Sequence, residues 1–516
     1  MFFNLNTISL VGIVIALFWY FSRSTFNYWK KLKIPYKKPV AFFGNAYDFA
    51  LFKASFHDNL HSIYNHFPDD PFGGFFEMRS PVLLLKDPTI VTHVLIKDFK
   101  SFVNRGFTFT VPDKELNPFS GHLFLSDGDR WRALRSKMSP VFTSGKLKYM
   151  YEQIFQCVGV LNQFVERNLK NDSCDVDVKE LFERFTIDVI GTCAFGLECN
   201  SLKDSNAEFQ AMGVKIFKPT FANAIRVLFS AFSPKLIVFF KIADVKKEIT
   251  EFFLNVILSS VTYRRKNNVE RNDFLQLLME LQNTSSDPKY SVGVRNSSVL
   301  KGEEFDEIDV AANAFLFFAA GFETTASTLS FCLYELAINQ DIQEKLRQEV
   351  ETVKTQCGGK LTAECLKDFN YMDMVLAETL RKYPPLPVLH RESVEDYVIP
   401  DTKIRLPART KIQIPVYSIH HDWKYYPNPE KFDPERFNAE NKLSRMNGTY
   451  IPFGDGPRYC IGKRFAYMEM KAALADIMTK YEFSPCNKTQ IPLSYKHGSI
   501  LMSPKNGIWL NISKIK

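Results

Sequence analysis

Cysteine is scarce in this chain, nine in 516 residues, and no two of them form a C-x-x-C pair. That excludes a disulfide-stapled secreted scaffold and the usual zinc-ribbon spacing, and it points to a reducing compartment with mostly buried thiols. Long hydrophobic runs are just as rare: there is one, at the N-terminus, so a polytopic transporter is excluded. Charge of one sign is nowhere massed. The 65 Lys and Arg against 57 Asp and Glu leave a net +8, spread along the chain without a nucleic-acid-binding module. Nucleic acid is therefore excluded as a partner, and a membrane surface or an acidic protein suits the excess better. A dinucleotide fingerprint is also missing. Gly454-Asp-Gly456 is only a fragment of G-x-G-x-x-G, residue 459 is Tyr, and no strand–helix context surrounds it. No repeat and no break in composition marks a second globular domain.

Apolar bulk is abundant. Hydrophobic residues make up 46% of the chain and Phe alone accounts for 48 positions, enough for a large core or an apolar pocket. The first 22 residues carry no charge, and Leu10 to Phe21 is continuously apolar. A cleaved signal peptide would need a basic n-region and small residues where Trp19-Tyr20-Phe21 stands, so residues 1–22 read as a retained anchor helix. Trp19, Tyr20 and Trp29 would lie at the membrane interface. Lys30, Lys31, Lys33, Lys37 and Lys38 follow, which places everything downstream in the cytosol. Residues 23–45, with Pro35 and Pro39, then read as a basic linker, and 46–516 as a single catalytic domain. The N-x-S/T sequons at Asn171, Asn283, Asn296, Asn447, Asn487 and Asn511 go unused on that side.

Apolar spacing predicts helices over Lys179–Phe195 and Ile237–Val256. Asn283–Gly302 is polar and reads as a loop. Glu303–Asn339 is a long helix with acidic residues crowding its start, and Phe369–Lys382 is another, stopped by Pro384-Pro385. A helical run is also expected over Arg464–Lys480. Short strands fit Tyr397–Ile399 and Lys411–Val416. The fold class is mainly α with small β-sheets.

The chemistry concentrates in Phe453-Gly-Asp-Gly456-Pro-Arg458-Tyr-Cys460-Ile-Gly462. A cysteine in a glycine-rich loop just before a helix can have its sulfur held by backbone N–H groups, and the helix N-terminus favours the thiolate. Glycines let backbone approach a flat ligand, and Arg458 can reach an anionic group on it. A buried structural cysteine is the default for the other eight.

This F-x-x-G-x-R-x-C-x-G pattern resembles the haem-binding loop of the cytochrome P-450 family at every fixed position. Ala320-Gly321-Phe322-Glu323-Thr324-Thr325 resembles the oxygen-activating stretch of its central helix, Glu378-Thr-Leu-Arg381 its E-x-x-R, and Pro434-Glu-Arg436-Phe437 its meander. Trp131-x-x-x-Arg135 resembles the helix that grips the haem propionates. The resemblance is nearest to microsomal, drug- and toxin-metabolising members of insects and vertebrates. It implies haem b held between the long central helix and the helix after the cysteine loop, with the Cys460 thiolate as the iron ligand. It further implies Trp131, Arg135, Arg391 and Arg458 around the propionates, Phe453 and Ala320 against the ring, and Thr324 with Glu323 for proton delivery.

A mid-helix Thr more ordinarily bonds its own i−4 carbonyl, and the histidines, His390 included, read as satisfied or surface groups. Glu378 and Arg381 read as a buried architectural pair with Arg436, outside catalysis. Phe315, Phe317, Phe318 and Leu386 to Leu389 fall near the haem by the same resemblance. Phe217, Phe221, Phe229, Phe232, Phe239 and Phe240 fall at an access channel, so a lipophilic substrate is expected. Electrons would come from NADPH-cytochrome P-450 reductase, with cytochrome b5 as an auxiliary donor, at the endoplasmic reticulum membrane. Two rivals are a haem-thiolate isomerase or dehydratase, which tends to lack the Glu323-Thr324 pair, and a non-enzymatic haem sensor.

Overall fold

The structure is a computed structural model, and it describes residues 5–515 apart from 108–110, 112, 205, 219–225, 227–228, 230–233 and 287–304. It is built around one helix. Helix α1 spans Leu5–Arg23, α2 Gly128–Met138, α3 Ser144–Asn168 and α4 Val178–Ile190. Then come α5, Lys247–Asn267, α6, Phe274–Ser286, and the 32-residue α7, Glu307–Ile338. Helices α8, Gln340–Gln356, α9, Asn370–Lys382, and α10, Lys463–Met478, complete the major set. Shorter helical turns lie between them. Helix α7 begins with a capping box, in which the Asp306 carboxylate accepts the Asp309 N–H and the Asp309 carboxylate accepts that of Asp306. Nearly every side chain from Asp309 to Ala337 is buried, with α4 packed along its flank. It is long and apolar enough to cross a membrane, yet 72% of its apolar stretch is buried, which marks a core helix.

The sheets are small. Strands β1 (Phe72–Glu77) and β2 (Ser80–Leu85) form a hairpin. Of the later strands, β3 is Ser173–Asp177, β4 Leu389–Glu392, β5 Tyr397–Val398, β6 Arg405–Leu406, β7 Lys411–Ile414, β8 Tyr481–Pro485 and β9 Trp509–Lys514. The sheet orders are β1-β2-β7-β4, β3-β9-β8 and β5-β6, with β2 parallel to β7 and every other pairing antiparallel. The first sheet anchors a second apolar core that contains Trp29, Phe75 and Leu84.

Four sequence expectations change here. Trp29 is fully buried and its indole N–H donates to Phe75 O at 2.9 Å, so it is a core residue rather than an interface anchor. The segment expected as a linker over 23–45 is therefore folded against β1: Gly74 N–H donates to Pro35 O and Lys37 N–H to Gly74 O. The helix expected over Ile237–Val256 is broken, with Pro234–Phe239 and α5 as separate pieces. Between them Lys241 takes φ +49°, and the Asp244 N–H donates to the Asn117 side chain at 2.7 Å, which pulls the chain off the helical path. Residues 287–302 of the expected polar loop, together with Phe221 and Phe232, lie outside the described residues, and 283–286 belong to α6.

Candidate active site

Helix α7 forms one wall of a cavity of about 300 Å³. Leu316, Ala320 and Thr324 all line it, as their spacing predicts, joined by Phe317, Gly321, Thr325 and Thr328. A Cβ at Gly321 would stand 2.9 Å from Ile190, so glycine is what lets α4 come this close. The Thr324 hydroxyl donates to Ala320 O at 2.7 Å, the ordinary i−4 bond of a helical Thr, and the residue lines the cavity. The opposite wall is the cysteine loop, with Phe453, Arg458 and Cys460, and Leu386 and Leu389 fill a third side.

The loop is set by backbone constraints. The Cys460 N–H donates to Phe453 O at 2.8 Å, and the Asp455 carboxylate accepts the Gly456 N–H at 2.8 Å. Gly456 has φ +66°, and a Cβ there would lie 1.8 Å from Leu95 O, so no other residue fits. Two cysteines line the cavity, Cys193 and Cys460. Cys193 is buried and its thiol points to Met150 O, whereas Cys460 is open to the cavity. Burial pushes the Cys460 thiol up; the Gly462 N–H, Arg135, Lys463 and Arg105 act against this and do not overcome it. The backbone N–H and the cations act in the direction expected from the sequence, toward the thiolate, without by themselves outweighing burial. A cation bound at the sulfur would outweigh it.

Cations crowd one rim. Arg458 is buried, donates to Val103 O at 2.6 Å and Ser126 O at 2.8 Å, and stacks 4.3 Å over Trp131. Arg391 donates to His390 O at 2.8 Å, and Arg135 lies 4.7 Å over the Tyr459 ring. All three line the cavity with Trp131, so the structure brings the expected propionate set together. It adds Arg105, which the sequence reading missed. Arg105 donates to Phe124 O at 2.6 Å and stacks over that ring at 4.0 Å. Its only sequence signal was a basic residue between Asn104 and Gly106 in a loop, and such residues are usually solvated.

Burial and mutual repulsion lower these guanidinium groups: Arg458 to about 8, Arg391 to about 9 and Arg105 to about 10. Arg391 Nε and Arg458 Nη1 are buried without a hydrogen-bond partner among the described residues. So many cations with unused donors fit a dianionic ligand, and the open thiol and flat apolar walls fit a macrocycle bearing a thiolate-seeking metal.

Glu323 does not share that wall. Its carboxylate is buried on the α4 side, where Lys179 Nζ reaches both oxygens at 3.0 Å and Ser327 lies at 3.4 Å. Lys179 also holds Glu183 at 2.7 Å. Burial nevertheless raises the Glu323 pKa, with Lys179 opposing. The expected Glu323–Thr324 pair is thus split between two faces because adjacent helical residues point about 100° apart. Among the aromatics, Phe317 lines the cavity, Phe315 and Phe318 are core residues, and Phe239 and Phe240 are exposed. Phe217 packs on Phe322 and Phe229 on Phe240.

Glu378 and Arg381 are fully buried and bidentate, at 2.7 and 2.8 Å, with Arg436 at 3.4 Å and the Asp433 N–H on Glu378 at 2.9 Å. That is the architectural role expected. His390 is satisfied by Gln413 at 3.1 Å.

A cavity between a long core helix and a cysteine loop, rimmed by guanidinium groups, defines a haem-thiolate protein. Comparison with known proteins agrees in detail. The family profile described as Cytochrome P450 matches residues 34–511. The chain is 40% identical over 517 residues to "Probable cytochrome P450 6a14" of Drosophila melanogaster, covering 99% of this chain and 100% of that one. It is also 40% identical over 517 residues to "Cytochrome P450 6k1" of Blattella germanica, covering 98% and 96%. The chain belongs to the cytochrome P450 family, a family of monooxygenases carrying haem with a cysteine thiolate axial ligand.

Proposed function

We propose that this chain is an endoplasmic-reticulum monooxygenase that inserts one oxygen atom of O2 into lipophilic organic compounds, xenobiotics or endogenous lipids, with electrons from an NADPH-dependent flavoprotein reductase. The observation that carries this reading is the single cavity with Cys460 on one wall and Ala320 and Thr324 on the other. Cys460 would ligate the iron, and Arg105, Arg135, Arg391 and Arg458 with Trp131 would hold the propionates. When bound, the haem supplies the activation of dioxygen, which an electron-rich thiolate favours. Thr324 then holds a proton-relay position: its own proton rests on Ala320 O, and its oxygen would accept from a water in the cavity. Glu323 acts at one remove, as the clasp to Lys179 that keeps this stretch of α7 against α4. Phe317, Leu316, Leu386 and Leu389 exclude water and favour apolar substrates.

Helix α1, apolar and followed by lysines, supports a membrane anchor with the catalytic domain in the cytosol. Exposed Phe239 and Phe240 would dip into the same bilayer. Lys463 and Arg464 beside the cysteine loop suit an acidic reductase, or cytochrome b5 as second donor. The test has two arms. A reduced, carbon-monoxide-bound spectrum with the thiolate signature is expected. Substrate-dependent NADPH consumption with purified reductase is expected too, and product formation without reductase would favour the isomerase instead.

A further inference from the structure

The structure pairs Cys357 with Cys365, with their Cα atoms 6.5 Å apart, in a chain whose low cysteine content points to mostly buried thiols. Of the other seven cysteines, five lie in the core or face the cavity, and Cys174 and Cys486 are half-buried and outside any disulfide. Cys157, Cys193, Cys199 and Cys332 are buried in the core, with their thiols pushed up by burial, and inert thiols of that kind are structural. Cys460 faces the cavity. Cys365 is buried as well and Cys357 is half-buried, but these two are joined to each other, and the turn between them is exposed. Gly358 and Gly359 both take positive φ with open space around them, so the turn can move without meeting neighbouring atoms.

The turn joins α8 to α9 and is held on the side of the molecule that carries the cysteine loop. Lys148 of α3 pairs with Glu364 at 2.6 Å. Lys471 of α10, the helix that follows Cys460, donates to Leu366 O at 2.9 Å and pairs with Asp373 at 2.7 Å. At the N-terminal ends of the same two helices, Arg464 donates to Ser144 Oγ at 2.9 Å.

We infer that Cys357 and Cys365 form a reversible, hydroperoxide-responsive disulfide. In the oxidising direction two thiols and one hydrogen peroxide give one S–S bond and two waters: each sulfur loses its proton and one electron, and the O–O bond takes up both. In the reducing direction a dithiol such as dithiothreitol attacks the bond, is itself oxidised, and returns both protons to the cysteines. The inference rests on the cytosolic placement proposed above only for its setting, since the thiol chemistry is read on the isolated full chain.

The experiment traps thiols with N-ethylmaleimide in membranes holding the full-length protein and maps peptides by mass spectrometry. Samples are taken before and after hydrogen peroxide, and again after native dithiothreitol. Expected is a closed 357–365 pair whose fraction rises at least several-fold with peroxide and falls back with dithiothreitol. Cys157, Cys193, Cys199 and Cys332 should stay unpaired. In parallel, the haem-loaded Cys357→Ser and Cys365→Ser variants should match the reduced wild type, and only the oxidised wild type should melt higher, by roughly 2–4 °C for a closed loop this short. Both cysteines alkylated at every peroxide level that leaves the haem spectrum intact would overturn the inference. So would a pair that native dithiothreitol cannot open, or pairing of either residue with a different cysteine.

Discussion

At the scale of single residues, three side chains divide the expected chemistry. Serine at 460 keeps its proton and cannot replace a thiolate, so Cys460→Ser should abolish the thiolate-type carbon-monoxide spectrum and all turnover. A normal spectrum from that variant would refute the ligand assignment. Arg105 is the residue added by the structure. If it shares a propionate with Arg458 and Arg391, Arg105→Gln removes a charge-assisted bond worth about 1.5–3 kcal/mol, and haem should dissociate at least tenfold faster to a scavenging apo-globin. An unchanged off-rate would make Arg105 a packing residue on Phe124. Thr324→Ala should keep haem and substrate binding. General acid assistance is worth about 10² to 10⁴ in rate, and water can replace part of it, so product per NADPH should fall several-fold while hydrogen peroxide rises. Full coupling with several substrates would reduce Thr324 to its Ala320 bond. Cys460, Arg135, Arg391, Arg458 and Trp131 were legible because motif spacing carried them. Arg105 was not, because its role depends on a loop folding back over Phe124. The Lys179 partner of Glu323 was not legible either, because neighbours in sequence are not neighbours on a helix face.

At the scale of elements, the long helix, the E-x-x-R helix and the final helix were all legible within a few residues of their ends. Each has an apolar stripe and a clear stop signal. The break near Lys241 was not, since apolar spacing continues through a residue whose left-handed backbone only tertiary contacts impose. Trp29 was misplaced for a related reason: a Trp beside lysines looks interfacial until the Phe75 carbonyl is there to accept its N–H. Removing Leu5–Arg23 should weaken membrane attachment in carbonate-free flotation while the haem spectrum survives, with the cut kept short of Trp29. Loss of haem on that truncation would show that α1 is not separable. Between elements, Glu323 and Lys179 clasp α7 to α4. Because Glu323→Ala leaves a buried lysine with only Glu183, the variant should lose on the order of 3 kcal/mol in urea unfolding. Lys179→Met with Glu323→Leu should recover much of that loss. A single variant as stable as the wild type would show the clasp to be dispensable.

At the scale of the whole molecule, buried histidines set the response to acid. Burial lowers six of the nine: His57 and His122 to about 4, His390 and His420 to about 3, and His61 and His421 in the same direction. Unfolded, each would titrate near its ordinary value of 6.5. Between that value and the folded ones the unfolded chain binds more protons, so stability rises with pH across the window and is lost as pH falls from 6.5 toward 4. Each histidine fully inside the window contributes on the order of 1 kcal/mol per pH unit. Glu469 acts the other way: burial holds its carboxyl well above the usual range, so the folded state keeps a proton that the unfolded state has released. Burial raises the carboxyls of Glu323, Glu378, Glu392, Asp177 and Asp188 in the same direction, and these oppose the histidines as pH approaches the ordinary carboxylate range, whereas just below pH 6.5 the six imidazoles dominate. The urea midpoint should therefore drop steeply between pH 7 and pH 5, before carboxylate protonation begins. His390→Gln and His420→Gln, which cannot charge, should each flatten that slope while leaving the midpoint at pH 8 less affected. A midpoint that stays level or climbs over this range would mean that the buried imidazoles are already solvated in the folded chain, and the tight packing around His390 and His420 would have to be abandoned.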